Sequence, residues 1–242
     1  MDDNKILKMY WEGKISKMEI LSIKSFIFNG HTVHLYTYDS QIKPFDNNMK
    51  VLDASDIIER QKRSMVTEKT STVFSDLFRY NLLYKTGGWW VDLDTVLIRP
   101  IITESPIVAS LHFNANPRVE DLNNSPLKIP RGHALAESCV RNAESRDLKK
   151  ISHGQLSGGL LQQEISRLKL DQFIVSSEIY SPIGWGEVHR VVSPSFGFDR
   201  ITQKTVAVHL FANMWAFKKI DKNGVFPKNS LYEWLKEKYK VS

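Results

Sequence analysis

Cysteine is nearly absent: Cys139 is the only one in 242 residues. No internal disulfide can form, nothing nearby resembles a Cys/His metal cluster, and this usage fits a reducing compartment. Long hydrophobic runs are also missing, and none approaches the length of a membrane span. The opening Met1-Asp2-Asp3-Asn4-Lys5 lacks the basic and then apolar layout of a signal peptide. The chain as given is therefore expected to be soluble and cytoplasmic. There is no internal repeat and no low-complexity segment. The charged and aromatic fractions, 25% and 11%, are ordinary for a globular protein. With 42% hydrophobic residues, the length suits a single domain over residues 1–242 with a full-sized core. The formal charge is +6, spread over Lys149-Lys150, Lys218-Lys219 and the Lys236 to Lys240 stretch. Solubility is the simplest reading of that excess. Peripheral contact with an anionic membrane, or a phosphate-bearing substrate, are its functional alternatives. No nucleic-acid motif accompanies the charge, so nucleic acid is set aside as a partner.

What is present begins with a strand–helix–strand pattern. Ile6 to Trp11 is a short apolar run that reads as a buried strand. Ser16-Lys17-Met18-Glu19 has capping-box spacing, so a helix starts there and ends at Asn29-Gly30. His31 to Tyr38 reads as a second strand. Such an opening favours a parallel sheet covered by helices. Val51 to Ile58 reads as a strand and turn. Thr70 to Thr86 reads as a strong helix, ended by Gly87-Gly88, and Trp89 to Leu93 as a strand. Further on, Ile107 to Phe113, Phe173 to Val175 and Val206 to Val208 are strand candidates. His133 to Ala143, Ser157 to Leu170 and Ser230 to Lys238 are helix candidates. Asn114 to Arg131, rich in Asn and Pro, is expected to be a long loop of the kind that often binds ligands.

The chemistry concentrates between Ser75 and Asp94. Asp92 and Asp94 are expected at the end of an apolar strand, where residues two apart share a face. Two neighbouring carboxylates repel unless something cationic sits beside them. A hard divalent cation meets that need and keeps positions open for a diphosphate. Alone, an Asp-x-Asp pair is a weak signal, and a solvated strand end is the alternative. Upstream, Asp76 and Arg79 share a helix face at i, i+3, where a surface ion pair is the alternative. Gly87-Gly88 lets the chain turn sharply from that helix into the acidic segment. Together these pieces place four charged residues at one end of a sheet, where open α/β sheets bind ligands.

The ordered pattern S-D-x-x-R-Y-x-x-L-Y-x-x-G-G-x-W-x-D-x-D, from Ser75 to Asp94, resembles the Asp-x-Asp glycosyltransferases of family 32. That group includes initiating mannosyltransferases, α-1,4-galactosyltransferases and capsular sugar transferases, and more distantly the glucosylating clostridial toxins. Tyr10-Trp11-Glu12-Gly13 and the Val208-His209 to Trp215 segment are similar to the family's opening and closing segments. The resemblance implies a GT-A fold, α/β and Rossmann-like, with a mainly parallel sheet. It implies a hexosyltransferase using a nucleotide-sugar donor, with UDP favoured over GDP, retention of configuration, and Mn2+ or Mg2+ as cofactor. Asp92 and Asp94 would hold the metal and donor phosphates, with His209 as a third ligand or diphosphate contact. Asp76 and Arg79 would hold the donor sugar, with Ser75 near that pocket. Trp11 would lie by the base, and Trp215 would come from a loop closing over the donor. The acceptor would be a glycan or lipid-linked glycan in capsular or cell-surface polysaccharide synthesis. Where the family has a Gly-Pro turn in the acceptor region, this chain reads Ser157-Gly158-Gly159. Gly158-Gly159 is either a receiver of a phosphate or sugar hydroxyl at a helix start or a simple turn.

Two rival readings remain. Asp92-Leu93-Asp94-Thr95-Val96 also fits the nucleophile motif of haloacid-dehalogenase phosphatases. That motif normally follows the first core strand, however, and no later Gly-Asp acidic pair is present. A non-catalytic glycan-binding protein on the same scaffold is the other rival, although the intact acidic pair speaks against it.

Overall fold

The computed structural model describes residues 4–64, 71–114, 119–147, 150–151 and 154–242. Met1 to Asp3, Thr70, residues 115–118 of the expected loop, and Lys149 lie outside them. Among the described residues, seventeen strands and α-helices follow one another along the chain. The first half holds β1 (Ile6–Tyr10), α1 (Lys17–Phe28), β2 (Thr32–Thr37), β3 (Met49–Asp53), α2 (Arg60–Ser64), α3 (Ser71–Thr86), β4 (Gly88–Trp90), β5 (Thr95–Leu97) and β6 (Val108–Phe113). The second half holds β7 (Glu120–Ile129), α4 (Ala134–Glu144), α5 (Gly158–Arg167), β8 (Ile174–Val175), α6 (Ser177–Tyr180), β9 (Ala207–His209), α7 (Ala212–Phe217) and α8 (Leu231–Lys238).

Local chemistry explains where the first elements begin and end. Ser16 and Glu19 form the capping box of α1, and Glu19 Oε2 accepts the Ser16 amide at 2.7 Å. Gly30, with φ +87°, turns the chain from α1 into β2. Helix α3 is buried continuously from Asp76 to Leu83, its polar residues included. Gly87 ends it with φ +61°, and a β-carbon there would run into the backbone of Arg131. Lys8, buried on β1, caps the same helix end, its ammonium donating to Gly87 O and to Thr86 Oγ1 at 3.0 Å. A cation is favoured against the carbonyl end of a helix.

The main sheet has seven strands in the order β3-β2-β1-β4-β7-β6-β8. Six run parallel, and β7 alone is reversed against β4 and β6. This is an α/β fold with a mainly parallel sheet flanked by helices, consistent with the GT-A class. A second ribbon pairs β5 with β9 antiparallel. One core cluster packs α3, α4 and α5 on the sheet, a second packs α1 on it, and a third gathers α7 and α8 around Trp215 and Tyr232.

Two sequence expectations are corrected. The stretch from Asn114 to Arg131 is not a long loop, because residues 120–129 form β7, deep in the sheet and buried from Leu122 to Ile129. Its Asn-Asn-Ser-Pro composition reads as a turn, but pairing on both sides overrides local propensity. The strand expected from Trp89 to Leu93 ends at Trp90. Asp92 and Asp94 therefore lie in the turn beyond it, closed by the Thr95 amide donating to Asp92 O at 3.0 Å. Their proximity comes from that turn and not from strand alternation.

Candidate active site

Strands β1 and β4 are adjacent and parallel, so Trp11 and Asp92 leave the sheet on the same edge. From β1 the chain moves outward to β2 and β3, then returns to place β4 on the other side. This is a topological switch point, where open α/β sheets leave a crevice at the carboxyl ends of their strands.

One arm of the site is a buried ionic network. Arg79 is 3% exposed and spans two carboxylates, with Nη1 at 2.8 Å from Asp76 Oδ1 and Nη2 at 2.8 Å from Asp92 Oδ1. Its guanidinium carbon lies 4.9 Å from the centre of the Trp90 ring, whose Nε1 also donates to Asp92 Oδ1 at 2.7 Å. Burial works against the guanidinium charge, but Asp92 and Asp76 outweigh it and hold the Arg79 pKa above its ordinary value. Ser75, one residue before Asp76, is half-buried on the same helix.

The second arm forms where the ribbon brings a distant part of the chain back. Thr95 pairs with His209, so the imidazole arrives beside the acidic turn. His209 Nε2 lies 3.0 Å from Asp94 Oδ1, yet no well-directed hydrogen bond from the described residues reaches that oxygen, so the contact is chiefly electrostatic. Asp94 Oδ2 accepts the Ala212 amide at 2.7 Å. Burial would push Asp94 up and His209 down. Their mutual attraction reverses both shifts, holding Asp94 below and His209 above the ordinary range. Phe211 stacks on His209 with centroids 4.0 Å apart. Its φ of +52° is an uncommon conformation for a bulky residue, and it aims the next amide at Asp94. His112, on β6, lies 5.5 Å from the Phe211 ring and is pushed down to about 4 by burial and by the nearby His209.

One oxygen or nitrogen each from Asp92, Asp94 and His209 lie within 4.8 Å of one another. Two carboxylates and an imidazole are a donor set that fits a divalent cation, and Asp94 Oδ1 offers a lone pair without an aligned donor among the described residues.

Both arms hang from a segment that sequence reading missed. The pairing of β6 with β7 slips between Ala109, opposite Leu127, and Ser110, opposite Asn123, so Asn124 to Pro126 bulge out. Asn124 Nδ2 donates to Asp76 Oδ1 at 2.7 Å, and Ser125 Oγ accepts the Asp92 amide at 2.8 Å. Asn123 Nδ2 lies 3.0 Å from His209 Nδ1. The orientation of that amide sets which ring nitrogen carries the proton: with its carbonyl turned to Nδ1, the proton sits there and Nε2 is free to face a cation. The only signal available was a polar run within an apolar one, because buried polar groups need partners.

The two flanking tryptophans differ. Trp11 is half-buried just beyond β1, its Nε1 has no partner among the described residues, and Lys222 Nζ sits 5.1 Å from its ring centre. Trp215 is not on a loop. It lies on α7, fully buried, packed against Tyr232 at 4.7 Å and Phe226 at 6.2 Å between ring centres. The expected loop is a helix because Trp215 must bury its ring in the third core cluster. Gly158 is fixed by packing, since a β-carbon there would strike Leu122 O.

Residues 22–114, from α1 to just beyond β6, match the family model described as "Glycosyltransferase sugar-binding region containing DXD motif". The matched stretch is thus similar to the DXD region of glycosyltransferases; it covers 93 of the 242 residues and does not reach a subfamily. Among solved structures it is similar to "PaToxG Glycosyltransferase", at 16% identity over 69% of this chain and 70% of that one, with a TM-score of 0.46. It is also similar to a transferase cysteine-to-serine mutant, at 10% identity over 72% of this chain and 91% of that one, with a TM-score of 0.48. Neither likeness bears on substrate or mechanism. No curated protein matches the chain.

Proposed function

We propose that this chain, as a single catalytic domain, is a metal-dependent hexosyltransferase that takes its sugar from a nucleotide-sugar donor. The observation that supports this best is the convergence of Asp92, Asp94 and His209 at the switch point of a DXD region. These three residues would hold Mn2+ or Mg2+, and the bound cation would supply charge stabilisation for the departing nucleoside diphosphate. Trp11 lies by the nucleotide base, where stacking contributes roughly 1–3 kcal/mol. Asp76 and Ser75 face the donor sugar, with Arg79 holding Asp76 and Asp92 in place. The phosphates need cationic company that Arg79, already bound to two carboxylates, only partly supplies. UDP is the favoured carrier, transfer proceeds with retention, and a cell-surface or capsular glycan, free or lipid-linked, is the acceptor in the cytoplasm. Trp215 acts as support: its ring anchors α7, whose first amide holds Asp94.

The test is incubation with a panel of nucleotide sugars and manganese, following released nucleotide. Turnover of a UDP-hexose that stops with excess chelator is the expected result. Full activity in chelator, or clearance of a generic aryl phosphate with no use of any nucleotide sugar, would overturn the reading.

A further inference from the structure

Exposed apolar side chains are unevenly placed on this molecule. Phe217 and Val225 are 79% and 83% exposed and lie eight positions apart. Phe217 follows Trp215 by two residues and Val225 directly precedes Phe226, while the Trp215 and Phe226 rings touch in the core. The two exposed side chains therefore flank one buried aromatic contact. A lone exposed hydrophobe needs no explanation. Here Lys218, Lys219 and Lys228, all exposed, lie within three positions of one or other of the pair in sequence, and none of them makes an ion pair among the described residues. Asp221 is the only acid from Phe217 to Lys228, and its side chain accepts the Asn223 amide at 2.8 Å. The segment is tied to the mouth of the site. Asn223 Oδ1 accepts the Lys17 amide at 3.0 Å, and Lys222 reaches from Glu19, 2.5 Å away, over the Trp11 ring.

Protruding apolar side chains flanked in sequence by lysines match the surface of an anionic bilayer, where the lysines meet headgroups and the apolar groups enter the acyl boundary. We infer that the Phe217 to Lys228 segment is a docking surface for an anionic lipid membrane, set beside the Trp11 end of the site. A membrane-held acceptor would then meet the site at the lipid surface. The inference stands on exposure and charge and is independent of the proposed transfer reaction.

Sedimentation with vesicles tests it, with no enzymatic readout. The full chain is expected to pellet with phosphatidylglycerol-containing vesicles, not with pure phosphatidylcholine, and to be released by high salt. Each lysine near the surface is worth about a fivefold change in partition. Lys218→Glu with Lys219→Glu should therefore release the protein more than tenfold. The same charge change at Lys150 and Lys169, exposed elsewhere, should have a far smaller effect. Phe217→Ser with Val225→Ser should weaken binding at constant charge. As a check that needs no destabilising change, Val225→Cys carrying an environment-sensitive dye should shift to the blue on anionic vesicles. Equal release by the control pair, an unmoved dye spectrum, or a dimer in solution that covers Phe217 would overturn the inference.

Discussion

Asp92 and Asp94 stand two residues apart in one turn and are held in different ways. Asp92 is neutralised from within: Arg79 and the Trp90 indole share one of its oxygens, and Ser125 fixes its amide. Asp94 has a backbone amide on one oxygen and, near the other, an imidazole without an aligned hydrogen bond. Both carboxylates of the first arm are held by aligned donors, although Arg79 Nε lacks a partner among the described residues, whereas Asp94 Oδ1 in the second arm has no aligned donor among them. A repeated residue type in a motif therefore does not imply a repeated setting: Asp92 is tied into the Arg79 network, and Asp94 faces His209 with one oxygen left for the cation that the proposed reading places there.

The comparison breaks most visibly at Arg79. Arg79→Ala strands Asp76 and Asp92 beside each other, and stability should fall by about 3 kcal/mol, the lower end for a broken buried pair because Asp92 is 24% exposed. Denaturant midpoints measure this, and an unchanged midpoint would mean the network is not holding the turn. Arg79→Lys keeps the charge but loses the fork, and should lose less stability.

At Asp94 the loss should be one of function. Asp94→Asn is expected to lower turnover by about two orders of magnitude or more, the size of a lost charge stabilisation, with the fold intact. Manganese affinity measured by paramagnetic resonance should fall with it. If Asp94→Asn bound the metal normally while Asp92→Asn did not, the roles assigned to the two would be reversed.

Ser125→Ala sharpens the contrast on a smaller scale. It leaves the Asp92 amide without its partner, costing about 1–3 kcal/mol of stability. Manganese affinity should decline less than in Asp94→Asn, since the second arm is untouched.

The smallest expected effect is a pH slope. His112 titrates at about 4 in the fold against an ordinary 6.5. The unfolded chain therefore binds the extra proton between those values, so this contribution is whole above pH 6.5 and is lost as pH falls toward 4. In His112→Phe the acid-side decline of the denaturant midpoint should be shallower over that window. Parallel slopes in variant and parent would remove His112 from the account.

Sequence showed the motif and most of the frame. The capping box of α1, the parallel opening, α3 and its double-glycine end, and the late strand bearing His209 are all local signals, carried by residues within a few positions of each other. Asp76, Arg79 and Asp92, three of the four charged residues expected together, are joined in the first arm. What escaped was non-local. The strand β7 looks like a loop because its three central polar residues find partners 33 to 86 positions away. The α7 helix and the left-handed Phe211 have no local signature either, since both are set by Asp94, His209 and the Trp215 core.

The bulge in β7 limits what can be transplanted. Residues 75–94 form a contiguous cassette that contains both ends of the Arg79 ion pairs and would travel as a unit into another scaffold. The clamp formed by Asn123, Asn124 and Ser125 would stay behind, since it is indexed to the sheet by the slip opposite Ala109 and Ser110. A graft would thus inherit the recognisable signature and lose the alignment of its carboxylates, becoming an acidic turn with no fixed bearing.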